Sequence, residues 1–233
     1  MSKPIRVAFV MEGPTDYVAL RAAVRALLDG RDFEPTVIWP ELDENFAAQT
    51  AGGWGGVYKW CRQAVEQVGG QVRNNPVFEF HDVLVIQVDA DVARRKYSDY
   101  KITDAPNNDL PCEKDCPPSS ATTDALRAVI LGWLNENSVP PGAVLCTPSK
   151  SIETWVLVAL FPDDESAKRA NIECRWDGEV RLRKYGLIRS GQKLVNKYQA
   201  NEEGIRTAWQ VVRGKCSEAD RFSQQFLALV PAN

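Results

Sequence analysis

Three acidic residues stand where carboxylates are costly to place. Glu12 follows directly on the apolar run Val7 to Met11. Asp89 and Asp91 close the stretch VLVIQVDADV, from Val83 to Val92. A carboxylate at the end of a buried parallel strand lies at the edge where open α/β sheets bind their ligands. If the second run stays extended to its end, Asp89 and Asp91 point to one side, about 6–7 Å apart along the chain. Carboxylates so close repel unless a proton or a cation lies between them. With Glu12 they make an oxygen-only donor set, which suits Mg²⁺ or Mn²⁺ rather than a soft metal.

The elements that must position these groups are legible around them. IRVAFVMEGPTDYVALRAAVRALL, Ile5 to Leu28, reads as buried strand, tight turn and helix, with Tyr17, Leu20, Val24 and Leu27 at helical spacing. Thr15 reads as the helix cap, and Asp16 suits the helix dipole. Thr36 to Trp39 reads as a short strand stopped by Pro40. Gly52-Gly53-Trp54-Gly55-Gly56 leads into a helix from Val57 to Val68. It lacks the Lys-Ser/Thr of a P-loop, so it reads as a helix entry or, second, as a substrate contact. Residues 69–82 read as a loop. It holds His81, the single histidine, at the strand end opposite the carboxylates. A surface or capping role follows for His81, which argues against a Ser-His-Asp or Cys-His hydrolase. Thr122 to Asn135 is an amphipathic helix, and Ala143 to Cys146 is a short strand. A helix running to Leu160 carries Glu153 in its first turn, and residues 205–229 are helical.

Taken in order, Glu12-Gly13-x-x-Asp16 after one buried strand and Asp89-x-Asp91 after another resemble the TOPRIM domain. That domain is shared by topoisomerases, bacterial primases, small RNA-maturation nucleases and OLD-family nucleases. The EGPTD form and Ser151-Ile152-Glu153-Thr154-Trp155 look most like the OLD-type and stand-alone bacterial TOPRIM proteins, over roughly residues 5–160. The resemblance implies an α/β fold over residues 1–160 with a central, mainly parallel sheet flanked by helices. A basic, mostly helical region over residues 161–233 is expected to pack on it. The resemblance implies catalysis by Glu12, Asp89 and Asp91, with Glu12, Asp16, Asp89, Asp91 and Glu153 as metal ligands. Glu153 reads equally as a plain capping residue. Lys150, with Ser149 or Ser151, is placed to touch the scissile phosphate. The implied activity is Mg²⁺- or Mn²⁺-dependent cleavage of DNA or RNA, as in toxic effectors of anti-phage defence. No ATPase motif is present, so any ABC/OLD-like ATPase partner would be a separate polypeptide. Two other readings stay open. One is a haloacid-dehalogenase-type phosphohydrolase with Asp89 as nucleophile, which leaves Glu12-Gly13 unexplained. The other is a non-catalytic nucleic-acid- or ATPase-binding module whose carboxylates hold a structural ion.

Composition agrees with a folded enzyme-sized chain: 233 residues, 44% hydrophobic and 25% charged. No run reaches the length of a membrane span, and no cleavage site follows the short N-terminal apolar run, so a cytoplasmic protein is expected. Charge is uneven. Residues 1–167 hold 15 Lys+Arg against 24 Asp+Glu, and residues 168–215 hold 12 against 5. A basic segment beside an acidic site is what a polyanion-cutting protein needs, and Lys193 and Lys197 are its candidate phosphate contacts. Arg94 and Arg95, directly after the Asp-x-Asp, are candidates too. The alternative in each case is solvated surface charge. Six cysteines are too few for a disulfide scaffold. Cys112 and Cys116 read as a local structural pair or free thiols, since a zinc site needs four ligands.

Overall fold

The computed structural model describes residues 3–44, 48 and 52–230. Among the described residues sixteen α-helices and β-strands follow one another. They begin with β1 (Ile5–Val10), α1 (Pro14–Leu28), β2 (Phe33–Trp39), α2 (Trp54–Val68), α3 (Val77–Phe80) and β3 (Val83–Gln87). Next come α4 (Ser120–Trp133), β4 (Ala143–Cys146), α5 (Glu153–Leu160) and α6 (Asp177–Lys184). The last are β5 (Ile188–Arg189), β6 (Gln192–Lys193), α7 (Val195–Ala200), α8 (Glu202–Thr207), α9 (Trp209–Lys215) and α10 (Ser217–Leu229). Strands β1 to β4 form one sheet in the order β2-β1-β3-β4, every pairing parallel, with Val7 beside Val83 and Leu84 beside Ala143. The chain is thus α/β with a four-stranded, all-parallel central sheet flanked by helices. Pro35 in β2 is tolerated because β2 is an edge strand.

The period-two alternation of side chains splits the core into two layers. Val7 and Phe9 of β1, Val83 and Val85 of β3 and Val144 of β4 face α1, α5, α9 and α10. Ala8, Val10, Leu84, Ile86 and Leu145 face α2 and α4. Both faces of the sheet are covered, which is why its strands are continuous apolar runs. Residues 161–230 belong to the first layer: Leu182, Ile205, Trp209, Phe222 and Phe226 are fully buried in one cluster with α1 and α5.

Much of the positive charge of that region is neutralised within it. Arg181 pairs with Asp164 at 2.6 Å, Arg183 with Glu179 at 3.7 Å, Arg206 with Glu203 at 2.5 Å and Arg213 with Asp220 at 2.8 Å. Among the described residues no helix is long and apolar enough to cross a membrane. Helix α1 begins two residues earlier than a Thr15 cap requires: Gly13 is the cap and Pro14 the first helical residue. Proline suits that position because its missing N–H is unpaired there anyway.

Candidate active site

Four parallel strands put all their C-terminal ends at one edge, and the acidic residues collect there. β1 delivers Glu12, α1 brings Asp16 in its first turn, β3 leads to Asp89, and α5, following β4, opens with Glu153. Strand β3 ends at Gln87, earlier than an extended run to Val92 requires. Residues 90–94 turn into a short 3-10 helix. Asp91 therefore stands on that turn, at the mouth of the pocket, with its side chain 35% exposed while Asp89 is buried. The segment after β3 stays beside the one after β4, since Ala90 N donates to Pro148 O and Asp91 N to Lys150 O.

The site is braced by bonds that sequence reading did not anticipate. Gln87 is the one polar side chain in the buried strand β3. Its Oε1 accepts from Glu12 N at 3.1 Å, and its Nε2 donates to Asp89 Oδ1 at 2.9 Å. That Asp89 oxygen also accepts from Ile152 N at 3.1 Å, and Asp89 N donates to Glu12 Oε1 at 2.8 Å. One oxygen each of Glu12 and Asp89 is thus fixed by the frame. A glutamine interrupting an apolar run was the available signal. On the other side, Gly53 N donates to Glu12 O at 2.7 Å, so the glycine-rich turn docks on the Glu12 backbone. Tyr100 lies across it, and a Cβ at Gly55 would come within 2.1 Å of the Tyr100 ring. The ring lies where a phosphate cradle would need open space, which leaves the turn its helix-entry role.

Lys193 is the largest departure from a surface reading. Its stem is partly exposed, but its ammonium turns inward to Glu153 Oε1 at 2.8 Å. The Tyr198 hydroxyl donates to the same oxygen at 3.2 Å, and Glu153 is fully buried. Lys197 is exposed on α7, so only one of the two lysines is presented to solvent. Lys150 is also drawn inward: its ammonium binds Glu113 Oε1 at 2.9 Å and lies 4.7 Å from the centre of the Trp176 ring. Arg94 shares both partners, at 2.6 Å from Glu113 and 4.6 Å from the Trp176 ring centre. Arg95 remains exposed near Asp91. Ser149 is committed, its hydroxyl donating to Glu173 O at 2.6 Å, whereas Ser151 lines a cleft of about 140 Å³ with Asp91, Lys150 and Trp176. A second cleft, about 260 Å³, is walled by Asp91, Arg94, Arg95, Asp99 and Trp176. Gly178 lets α6 approach α5: a Cβ there would sit 2.8 Å from Thr154 N.

Electrostatics single out the pocket. Burial first, then the charges of Asp91 and Asp16, push Glu12 up to about 8. Burial raises Asp16 to about 7, with Lys193 pulling down and Glu153 pushing up. Asp89 is raised well above its ordinary value by burial and then by Glu12 and Asp16. Asp91 rises to about 6, burial outweighing Arg95 and Lys193. Burial alone would lower the Lys193 pKa, but Glu153, Asp16 and Asp89 outweigh it and hold the ammonium charged.

The donor set matches a hard divalent cation in chemistry: all carboxylate oxygen, with Asp16, Asp89 and Glu153 buried and Glu12 and Asp91 half-buried. Asp16 Oδ1 and Glu153 Oε2 are buried acceptors with no hydrogen-bond partner among the described residues, as expected of groups awaiting a cation. As they stand, no three Asp, Glu, His or Cys side chains among the described residues converge closely enough to chelate one ion. The ammonium of Lys193 stands among them instead.

The cysteines depart from a local Cys112–Cys116 pair. Cys116 forms a disulfide with Cys174, 58 residues away, tying the loop after β3 to the segment that carries Trp176. Cys61, Cys112, Cys146 and Cys216 are free thiols. His81 caps α3 at the opposite sheet edge, with its backbone N–H on Val77 O. Comparison with protein-family models, with curated proteins and with solved structures returns no match.

Proposed function

We propose that this chain is a Mg²⁺- or Mn²⁺-dependent nuclease of the TOPRIM type, cutting phosphodiester bonds of DNA or RNA at the edge where Glu12, Asp16, Asp89, Asp91 and Glu153 meet. The observation that carries the reading is the crowding itself. Five carboxylates share one sheet edge with the Lys193 ammonium, and two of their buried oxygens have no hydrogen-bond partner among the described residues. Such an arrangement destabilises a fold unless it has a guest. A bound Mg²⁺ or Mn²⁺ would polarise the phosphodiester and make a nucleophile of water at neutral pH. Asp16, Asp89, Asp91 and Glu153 would hold it. Glu12, with one oxygen fixed by the Asp89 N–H and a pKa near 8, is placed to exchange a proton at the reacting centre. Arg95 and Arg94 flank Asp91 at the cleft mouth, where a substrate phosphate would approach. In line with the resemblance, the role would be that of a defence effector working with a separate ATPase.

The phosphohydrolase reading needs an open Asp89 nucleophile. Asp89 is 6% exposed, and its Oδ1 already accepts two hydrogen bonds, which weighs against it. The test is cleavage of plasmid DNA and of structured RNA by purified protein with Mg²⁺ or Mn²⁺. Asp89→Ala, Asp91→Ala and Glu12→Gln are each expected to abolish cutting while remaining folded. If Glu12→Gln cuts at the wild-type rate, Glu12 has no chemical role and the reading fails. If wild type cuts neither substrate, the binding-module reading replaces it.

A further inference from the structure

We propose that Lys193 is the resident cation of the acidic pocket, and that a divalent ion enters only in exchange for its ammonium on Glu153. This rests on the metal-dependent reading above and adds a competitor to it. The contact is specific: 2.8 Å to Glu153 Oε1, with the carboxylate fully buried and braced by the Tyr198 hydroxyl, and 4.0 Å to Glu179. The remaining oxygen of Glu153 and one of Asp16 have no hydrogen-bond partner among the described residues, so the ammonium satisfies the pocket only in part. The charge of Lys193 offsets the repulsion at Glu12, Asp16, Asp89 and Asp91 alike. It therefore does electrostatically, at one unit of charge, what a divalent ion would do at two.

Joint occupancy is disfavoured on two grounds. An ammonium and a divalent ion a few ångströms apart repel strongly at protein dielectric. The lysine also occupies an oxygen that chelation needs; as no three donors among the described residues converge as they stand, an entering ion has to draw the carboxylates together as well as displace the ammonium. Its release needs little rearrangement. Lys193 ends β6 of a two-stranded ribbon with two residues per strand, which among the described residues pairs with no other strand. The ribbon turns through Ser190 and Gly191, both at positive φ, so it is a tight independent hairpin. Ile188, opposite Lys193, is buried and anchors the ribbon, whereas the lysine stem is 28% exposed and has its own rotatable bonds.

The experiment is Mn²⁺ binding, followed by calorimetry and by the spin resonance of free Mn²⁺, with no nucleic acid present, at one pH and ionic strength. Lys193→Met keeps the apolar stem and removes the charge. It is expected to bind Mn²⁺ at least about 10-fold more tightly than wild type, with the gain lost again in Lys193→Met/Glu153→Gln. Lys193→Arg, which keeps the charge, is expected to bind no more tightly than wild type. In chelator Lys193→Met should melt below wild type, and Mn²⁺ should restore it. Lys193→Gln serves as the second uncharged variant if the methionine form does not fold. Wild type binding Mn²⁺ with Lys193→Met equal or weaker overturns the competition and leaves the metal reading standing. Neither protein binding Mn²⁺ at millimolar concentration overturns both.

Discussion

Replacing Asp16 by asparagine should make this protein more stable, and only at high pH. Asp16 is 3% exposed in the first turn of α1, where an acid ordinarily helps a helix. Burial nevertheless lifts its carboxyl from 3.8 to about 7, net of Lys193 and of backbone N–H groups at residues 13 and 16. A rise of about 3 units corresponds to a ceiling of ~4 kcal/mol against the folded state once Asp16 is ionised. The sign follows from proton counting. Below about pH 4 both folded and unfolded chains hold the proton, and no penalty exists. Between 4 and 7 the unfolded chain releases it first, so stability falls as pH rises. Above 7 the penalty is complete. Glu153 and Asp89 relax when one charge leaves, and the lost helix-dipole term opposes by ~0.3–1 kcal/mol, so the expected gain is ~1–3 kcal/mol at pH 8.

The assay is urea unfolding of wild type and Asp16→Asn in chelator at pH 4.5, 6 and 8. The two curves should nearly coincide at pH 4.5 and separate at pH 8, with the variant the more stable. Adding Mn²⁺ at pH 8 should stabilise wild type more than the variant and narrow or reverse the order. A variant less stable than wild type at pH 8, or a difference independent of pH, would mean that Asp16 is an ordinary helix-start acid, and the argument from crowding would lose its central member.

Three further outcomes are expected. Trp176→Ala removes a 42%-exposed indole between the two clefts at Asp91; if that ring stacks a substrate base, single-stranded oligonucleotide affinity drops about 5- to 150-fold with the salt slope unchanged, measured by fluorescence anisotropy in chelator, and an unchanged affinity confines Trp176 to covering Lys150. Glu173→Ala strips the acceptor shared by Ser217 N and Oγ, Glu218 N and Trp155 Nε1; unfolding should show a loss of ~3–5 kcal/mol, and a loss under ~1 kcal/mol would contradict the shared-acceptor account. Alkylation of the unfolded chain should modify four cysteines before reduction and six after, as one disulfide and four free thiols require; six before reduction would mean that Cys116 and Cys174 are not joined.

What could be read from the sequence were features with a local period. The apolar runs of β1, β3 and β4 and the 3.6-residue spacing of α1 and α4 are local facts, and Glu12, Asp89 and Glu153 stood out as acids at the ends of apolar runs. What could not be read depended on distant partners. Net charge places Lys193 in a basic segment but says nothing of pairing, and its partner Glu153 lies 40 positions earlier. Position alone directs Lys150 at a phosphate, but Glu113, on a loop with no regular pattern, binds its ammonium. An Asp89–Asp91 pair on one side requires an extended strand, whereas the ladder with β4 ends at Gln87 and Cys146, after which the chain turns. Cys174 lies too far from Cys116 for spacing to announce the bond.

The same chain also supplies the control that gives the pocket its meaning. Away from the sheet edge, its buried acids are matched. Burial pushes Asp164 up, but Arg181 and Tyr185 bind it and bring it down to about 2. Glu218 pairs with the buried Arg127 at 2.6 Å, Glu136 takes Arg73, and Glu173 accepts from a helix start and an indole. A sequence able to satisfy four buried carboxylates in this way faces no general difficulty in doing so. At the C-terminal ends of the strands Glu12, Asp16, Asp89 and Asp91 all move upward, as Glu173 does, but here one lysine stands among five acids and two oxygens have no hydrogen-bond partner among the described residues. A structural role would call for arginines there. A pocket left short of positive charge, beside an otherwise satisfied core, is organised around a cation or a reacting group that the chain does not itself provide.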